Sequence, residues 1–78
     1  MYAMKEYDLF IGNDCPSCTV LKENMSKKDF DRCNLIDAGD LSSIPLMAGY
    51  GISTIPCLIA DGRKITGASS ILDFLKTH

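Results

Sequence analysis

Apolar and polar positions change rhythm several times along the chain. In YDLFIG, residues 7–12, aromatic and branched residues run together as they do in a buried strand. From Pro16 to Lys28 the period lengthens to that of a helix: Val20, Leu21 and Met25 recur on one side, with Lys22, Glu23, Lys27 and Lys28 on the other. CNLIDA, residues 33–38, predicts a second strand, ended by Gly39-Asp40. Ser42 or Ser43 can then cap a short helix, with Pro45 in its first turn and Gly49 or Gly51 closing it. PCLIA, residues 56–60, reads as a third strand. Asp61-Gly62, a strong hairpin signal between apolar segments, joins it to a fourth, RKIT. From Ser69 to His78 a capping serine precedes Ile71, Leu72 and Leu75 on one face, with Phe74 beside them, which predicts a closing helix.

The resulting order, β-α-β-α-β-β-α, places the chain in the α/β class. Alternation in the first half requires a right-handed crossover between parallel strands, and the hairpin adds an antiparallel edge. The expected architecture is a four-stranded mixed sheet with three helices covering both faces, as one domain over residues 1–78. At 78 residues that is close to the smallest size at which a core sustains a fold unaided. Tyr2, Tyr7, Tyr50, Phe10, Phe30 and Phe74 are expected in the core or on a partner surface.

Composition narrows the function classes. Hydrophobic residues at 46% and charged residues at 23% are those of an ordinary globular chain. A net charge of −2, with the eight Lys and Arg scattered, offers no basic face for a nucleic acid. No apolar run approaches the roughly 20 residues that span a bilayer, and MYAMKEYDLF has no signal-peptide pattern. The expectation is a cytoplasmic monomer that binds neither nucleic acid nor membrane.

The chemistry lies in GNDCPSCTVLK, residues 12–22. Cys15 falls at the mouth of the first predicted helix, where unpaired backbone N–H groups and the helix dipole favour thiolate over thiol. Cys18, one turn deeper on the same side, can close a disulfide with it. This order suits a two-step exchange in which Cys15 attacks a substrate disulfide and Cys18 resolves the mixed disulfide. Asp14 opposes the activation of Cys15, with no Lys or Arg in the three residues before the cysteine. The competing reading joins Cys15 and Cys18 to Cys33 and Cys57 as four zinc ligands, although Cys33 and Cys57 lack the close spacing of a ligand pair. Cys33 and Cys57 otherwise read as small apolar strand residues, with Cys57 a candidate for exchange or glutathionylation if Pro56 lies at the site. In STIPC, residues 53–57, Pro56 opens a strand without a donor, which places it at an edge or in an unusual backbone conformation.

Taken together, LFIGNDCPSC, GYGISTIP and DGRKITGASSILDFL give a chain that over nearly its whole length resembles the thioredoxin superfamily, and within it the glutaredoxins and the redoxins that reduce ribonucleotide reductase. The resemblance implies a thioredoxin-like fold and a disulfide oxidoreductase with catalytic Cys15 and Cys18. It implies substrate contacts at Pro16, Ile55, Pro56, Gly67 and Ser69, with Pro56 cis, Ile55 presenting backbone groups to the substrate, and Gly67 admitting it closely. No tightly held cofactor is implied. Glutaredoxins usually carry Lys where this chain has Gly12, Gly-Gly where it has Thr66-Gly67, and an Asp pair where it has Ser69-Ser70. These departures favour thioredoxin reductase over glutathione as reductant and ribonucleotide reductase as partner, while the Ser hydroxyls at a helix N-terminus leave a glutathione carboxylate a place to bind. Pro16 after the first cysteine is, conversely, unusual among the ribonucleotide-reductase redoxins. The alternative from another class is a binding module of the same fold, its cysteines holding zinc or an iron-sulfur cluster.

Overall fold

The computed structural model describes residues 6–77, so Tyr2 and His78 lie outside the described residues. Four strands, β1 (Tyr7–Ile11), β2 (Cys33–Asp37), β3 (Cys57–Ala60) and β4 (Arg63–Thr66), form one mixed sheet in the order β2-β1-β3-β4. β1 and β2 are parallel, with Leu9 opposite Leu35, while β3 is antiparallel to both β1 and β4. The α/β class and the four-stranded mixed sheet therefore agree with the sequence reading.

The helix count does not. Among the described residues four α-helices are present: α1 (Pro16–Asn24), α2 (Lys27–Arg32), α3 (Ile44–Tyr50) and α4 (Ala68–Thr77). The single helix expected from Pro16 to Lys28 is broken at Met25, whose backbone is extended. Ser26 then starts α2 with a reciprocal capping box: Asp29 N–H donates to Ser26 Oγ, and Ser26 N–H donates to the Asp29 carboxylate, both at 3.1 Å. Lys27, Lys28 and Asp29 form the first turn of this second helix, with both lysines exposed.

Two other boundaries moved for local reasons. Asp40 caps a preceding 3-10 turn, Leu41–Ser43, by accepting from Ser42 N–H at 3.0 Å, and Ser43 then holds the N-cap position of α3 without a side-chain cap bond. Ser43 is buried and its Oγ lies 2.7 Å from the carbonyl oxygens of both Asp37 and Asp40. Gly51, at φ +71, closes α3 in the left-handed region that glycine adopts without strain, and Gly49 stays within the helix. In the tail, Ile71 N–H donates to Gly67 O at 3.0 Å, so α4 begins a residue before Ser69 and both serines fall in its first turn.

Strand alternation divides the core between the two faces of the sheet. Leu9, Cys33, Leu58 and Ala60 pack with Leu21 and Met25 from the first helical segment and with Ile71 and Leu75 of α4. Phe10, Cys57 and Ile59 face the other way, against Met47, Tyr50, Ile52 and Ile55. Fully burying side chains such as Leu21 and Ile71 contributes about 1.5–3 kcal/mol each. All four residues of β3 are buried, as a strand between β1 and β4 with both faces covered requires, whereas edge strand β4 carries exposed Arg63 and Lys64. The β3–β4 turn uses positive φ at both Asp61 (51°) and Gly62 (79°), the geometry that matches a tight hairpin to strand twist.

At one end of the molecule, Arg32 gathers several elements. Its guanidinium lies 3.0 Å from Glu6 Oε2 and donates to Tyr7 Oη at 3.0 Å and to the Leu75 carbonyl at 3.4 Å. It also lies over the Tyr7 ring, which meets Phe74 edge-on. Hydrogen bonding to Glu6 is the main reason its already high pKa rises further. Among the described residues no helix is long and apolar enough to cross a membrane.

Candidate active site

β1 delivers the chain to a short turn, and Cys15 enters α1 as its N-cap with extended backbone, φ −133 and ψ 100. Pro16 follows in the first helical turn, where its missing N–H costs nothing and its fixed φ suits the helix. The cap acceptor, normally an oxygen, is here a sulfur: Cys18 N–H donates to Cys15 Sγ at 3.1 Å. Thr19 anchors the same turn, its N–H donating to Cys15 O at 3.1 Å and its hydroxyl to that oxygen at 3.3 Å. A donor aimed at Cys15 Sγ stabilises negative charge there once the thiol is free.

Cys15 and Cys18 are joined in a disulfide, with Cα atoms 5.2 Å apart. Their environments differ. Cys15 is partly exposed, while Cys18 is fully buried beneath it. Exchange chemistry needs this asymmetry: an accessible sulfur to meet the substrate and a protected one that acts only intramolecularly.

The second side of the site comes from the loop before β3. Cys15 Sγ lies 4.0 Å from the Ile55 carbonyl oxygen, and the Ile55–Pro56 peptide bond is cis, as the family resemblance implies. Pro56 is buried, and its carbonyl accepts from Gly67 N–H at 3.2 Å, tying this loop to the start of α4. Gly67 adopts φ +89, and nothing lies within 4 Å of where its side chain would begin. Cys15, Pro16, Cys18, Ile55, Pro56 and Gly67 thus form one connected set. Ser69 is exposed in the first turn of α4, two residues beyond Gly67.

One contact was missed in the sequence. A side chain at Gly12 would place its Cβ 2.7 Å from Ile55 Cδ1, so the end of the Ile55 side chain rests against the bare backbone at Gly12 and would have to turn aside for a larger residue. The signal available was a glycine ending a buried strand, a pattern that marks close approach of another segment.

The remaining cysteines do not converge on this pair. Cys33 belongs to the core cluster under α1 and α4, and Cys57 to the cluster on the opposite face. Among the described residues no three His, Cys, Asp or Glu side chains come together as metal ligands. Burial pushes the Cys57 thiol above its ordinary pKa, with the Lys64 charge opposing it. Cys57 is fully buried, which denies it both the thiolate and the access that exchange requires.

A thiol held neutral by the fold links stability to pH with a definite sign. The unfolded thiol ionises near its ordinary value of about 8.5, whereas the folded one retains its proton to higher pH. The stabilising contribution is therefore complete below about pH 8.5 and is lost as pH climbs toward the raised folded value. Urea unfolding of the oxidised protein from pH 7 to 10 should show a steeper loss above pH 8.5 in the native chain than in Cys57→Ala. Parallel curves would exclude the burial effect.

A surface cleft lined by residues including Asn24, Ser26, Lys28 and Arg32 lies beyond the far end of α1 from Cys15 and takes no part in this site. Compared with protein-family models, curated proteins and solved structures, the chain matches none.

Proposed function

We propose that the chain is a thiol-disulfide oxidoreductase of the glutaredoxin kind, built on a thioredoxin-like fold. The observation that carries this reading is the placement of Cys15 as a sulfur N-cap, accepting the Cys18 N–H at 3.1 Å, above a fully buried Cys18 and beside the Ile55 carbonyl. The mixed sheet and the cis Ile55–Pro56 bond facing the dithiol support the fold assignment.

In the reaction, the Cys15 thiolate attacks one sulfur of a substrate disulfide. A Cys15–substrate S–S bond forms as the substrate S–S bond breaks, and the departing thiolate takes up a proton. Cys18 then loses its proton and attacks Cys15 Sγ, closing the Cys15–Cys18 disulfide and releasing the second substrate thiol. Two electrons and two protons pass from the protein dithiol to the substrate. A dithiol reductant such as thioredoxin reductase restores the starting state, with glutathione as the alternative. Ribonucleotide reductase is the proposed substrate protein. Pro16, Ile55, Pro56, Gly67 and Ser69 are assigned to substrate contact.

Equilibration across ratios of reduced to oxidised glutathione, with every cysteine's state read by mass spectrometry, tests the reading. A reversible Cys15–Cys18 bond with a potential between about −180 and −270 mV is expected. A pair that never forms, or a metal mass bound to the cysteines, would sink the proposal.

A further inference from the structure

Among the described residues, the cations of this molecule lie away from the dithiol, while carboxylates are found at both ends. β1 runs toward Cys15, and β2, parallel to it, ends at the same end with Asp37; Asp40 follows immediately. β3 starts at this end with Cys57 opposite Phe10, and its hairpin turn at Asp61-Gly62 lies at the other. The cations sit elsewhere. Lys22 is in the last turn of α1, about 10 Å along the helix from Cys15. Lys28, Arg32 and Lys76 line the cleft beyond that helix, and Lys27 begins α2 beside them. Arg63 and Lys64 open β4 from the hairpin, and the Lys64 ammonium is bound to the Gly51 carbonyl at 3.0 Å.

Among the described residues, the segments that build the dithiol end (12–17, 37–44, 53–57 and 66–70) therefore carry Asp14, Asp37 and Asp40 and no cation. Asp14 adjoins Cys15 in the chain, its Cα about 3.8 Å away, and is exposed. Asp37 and Asp40 add to the same negative field from the neighbouring strand end, and the Ser42 N–H helps hold Asp40 ionised.

We infer that Asp14 sets the charge preference of the exchange, so that Cys15 reacts with disulfides in cationic surroundings ahead of neutral ones, and with neutral ones ahead of anionic ones. The inference rests on the oxidoreductase reading above and names its substrate class: protein disulfides flanked by Lys or Arg. A carboxylate beside the reacting sulfur attracts a cationic substrate and repels an anionic one, and the difference is largest at low salt.

The test uses the reduced full chain in single turnover with three small disulfides: cystamine, which is cationic, bis(hydroxyethyl) disulfide, which is neutral, and dithiodipropionate, which is anionic. Acid quenching followed by alkylation and mass spectrometry gives each second-order rate constant. Rates should fall in that order. Asp14→Asn should compress the cystamine-to-dithiodipropionate ratio about fivefold at low ionic strength, and about 1 M salt should compress the native ratio similarly. Using the ratio cancels any change in the reactivity of Cys15 itself. Asp61→Asn removes the same charge at the opposite end, at a φ of 51° that asparagine tolerates, and should leave the ratio unchanged. A ratio that survives Asp14→Asn, or that Asp61→Asn compresses equally, overturns the inference. If the native protein fails to reduce even the neutral disulfide, the oxidoreductase reading itself is wrong and the charge preference goes with it.

Discussion

Replacing Cys15 with serine should reduce turnover of a protein disulfide to the level of a protein-free control. Cys18→Ser should instead stop the reaction halfway. A serine at 15 removes the attacking sulfur outright, since a hydroxyl does not ionise near neutral pH and is a poor nucleophile toward sulfur. In Cys18→Ser the accessible Cys15 still attacks, but the buried position beneath it offers nothing to displace the substrate. The expected product is a mixed disulfide on Cys15, stable until an external thiol cleaves it. Coupled reduction of insulin measures the first variant, and intact-mass spectrometry the second. Residual turnover in Cys15→Ser, or no mixed disulfide accumulating in Cys18→Ser, would contradict the division of labour assigned to an exposed and a buried sulfur.

Phe10→Ala should cost about 3–5 kcal/mol of stability, the range for removing a fully buried aromatic side chain. In a domain whose whole stability is on the order of 5–15 kcal/mol, with small chains toward the lower limit, that is a large share. Tm should drop by about 15–30 °C, as thermal unfolding followed by circular dichroism measures. Phe10 is the largest fully buried side chain of the core cluster beneath α3, packed with Cys57, Ile59 and Ile55 and edge-on to Tyr50 at 6.1 Å between ring centres. Because Ile55 belongs to that cluster and also faces Cys15, loss of the ring loosens the wall of the site as well as the core. A loss below about 1 kcal/mol would mean that the cluster collapses around the gap.

Much of this arrangement is legible in local sequence rules. YDLFI reads as a strand between two apolar layers because Leu9 and Phe10 serve opposite faces, and both are fully buried. Asp61-Gly62 reads as a hairpin because both positions need positive φ. Cys15 reads as a reactive position because a helix N-terminus presents free N–H groups, one of which meets its sulfur.

What escaped depends on competition or on distance. Ser26 broke the first helix because its capping box with Asp29 competes with helical continuation, a signal that was present but outweighed by the run of lysines around it. Ser43 does take the N-cap position of α3, but its hydroxyl turns back to the Asp37 and Asp40 carbonyls, and the side-chain cap comes one turn earlier, from Asp40. The Gly12–Ile55 contact joins segments more than 40 residues apart: a glycine ending a buried strand signals that some segment comes close, but not which one.

The Arg32 cluster has a practical consequence for engineering. Glu6 N–H donates to Arg32 O at 2.9 Å while the Arg32 side chain reaches the Leu75 carbonyl, so the approach to β1 and the last turn of α4 meet at the same basic residue, away from Cys15. A short linker from Thr77 to Glu6, in place of the residues outside them, would close this backbone into a ring. New termini could then open at the exposed Asp61-Gly62 turn, giving a circular permutant whose dithiol end is untouched by either the splice or the cut.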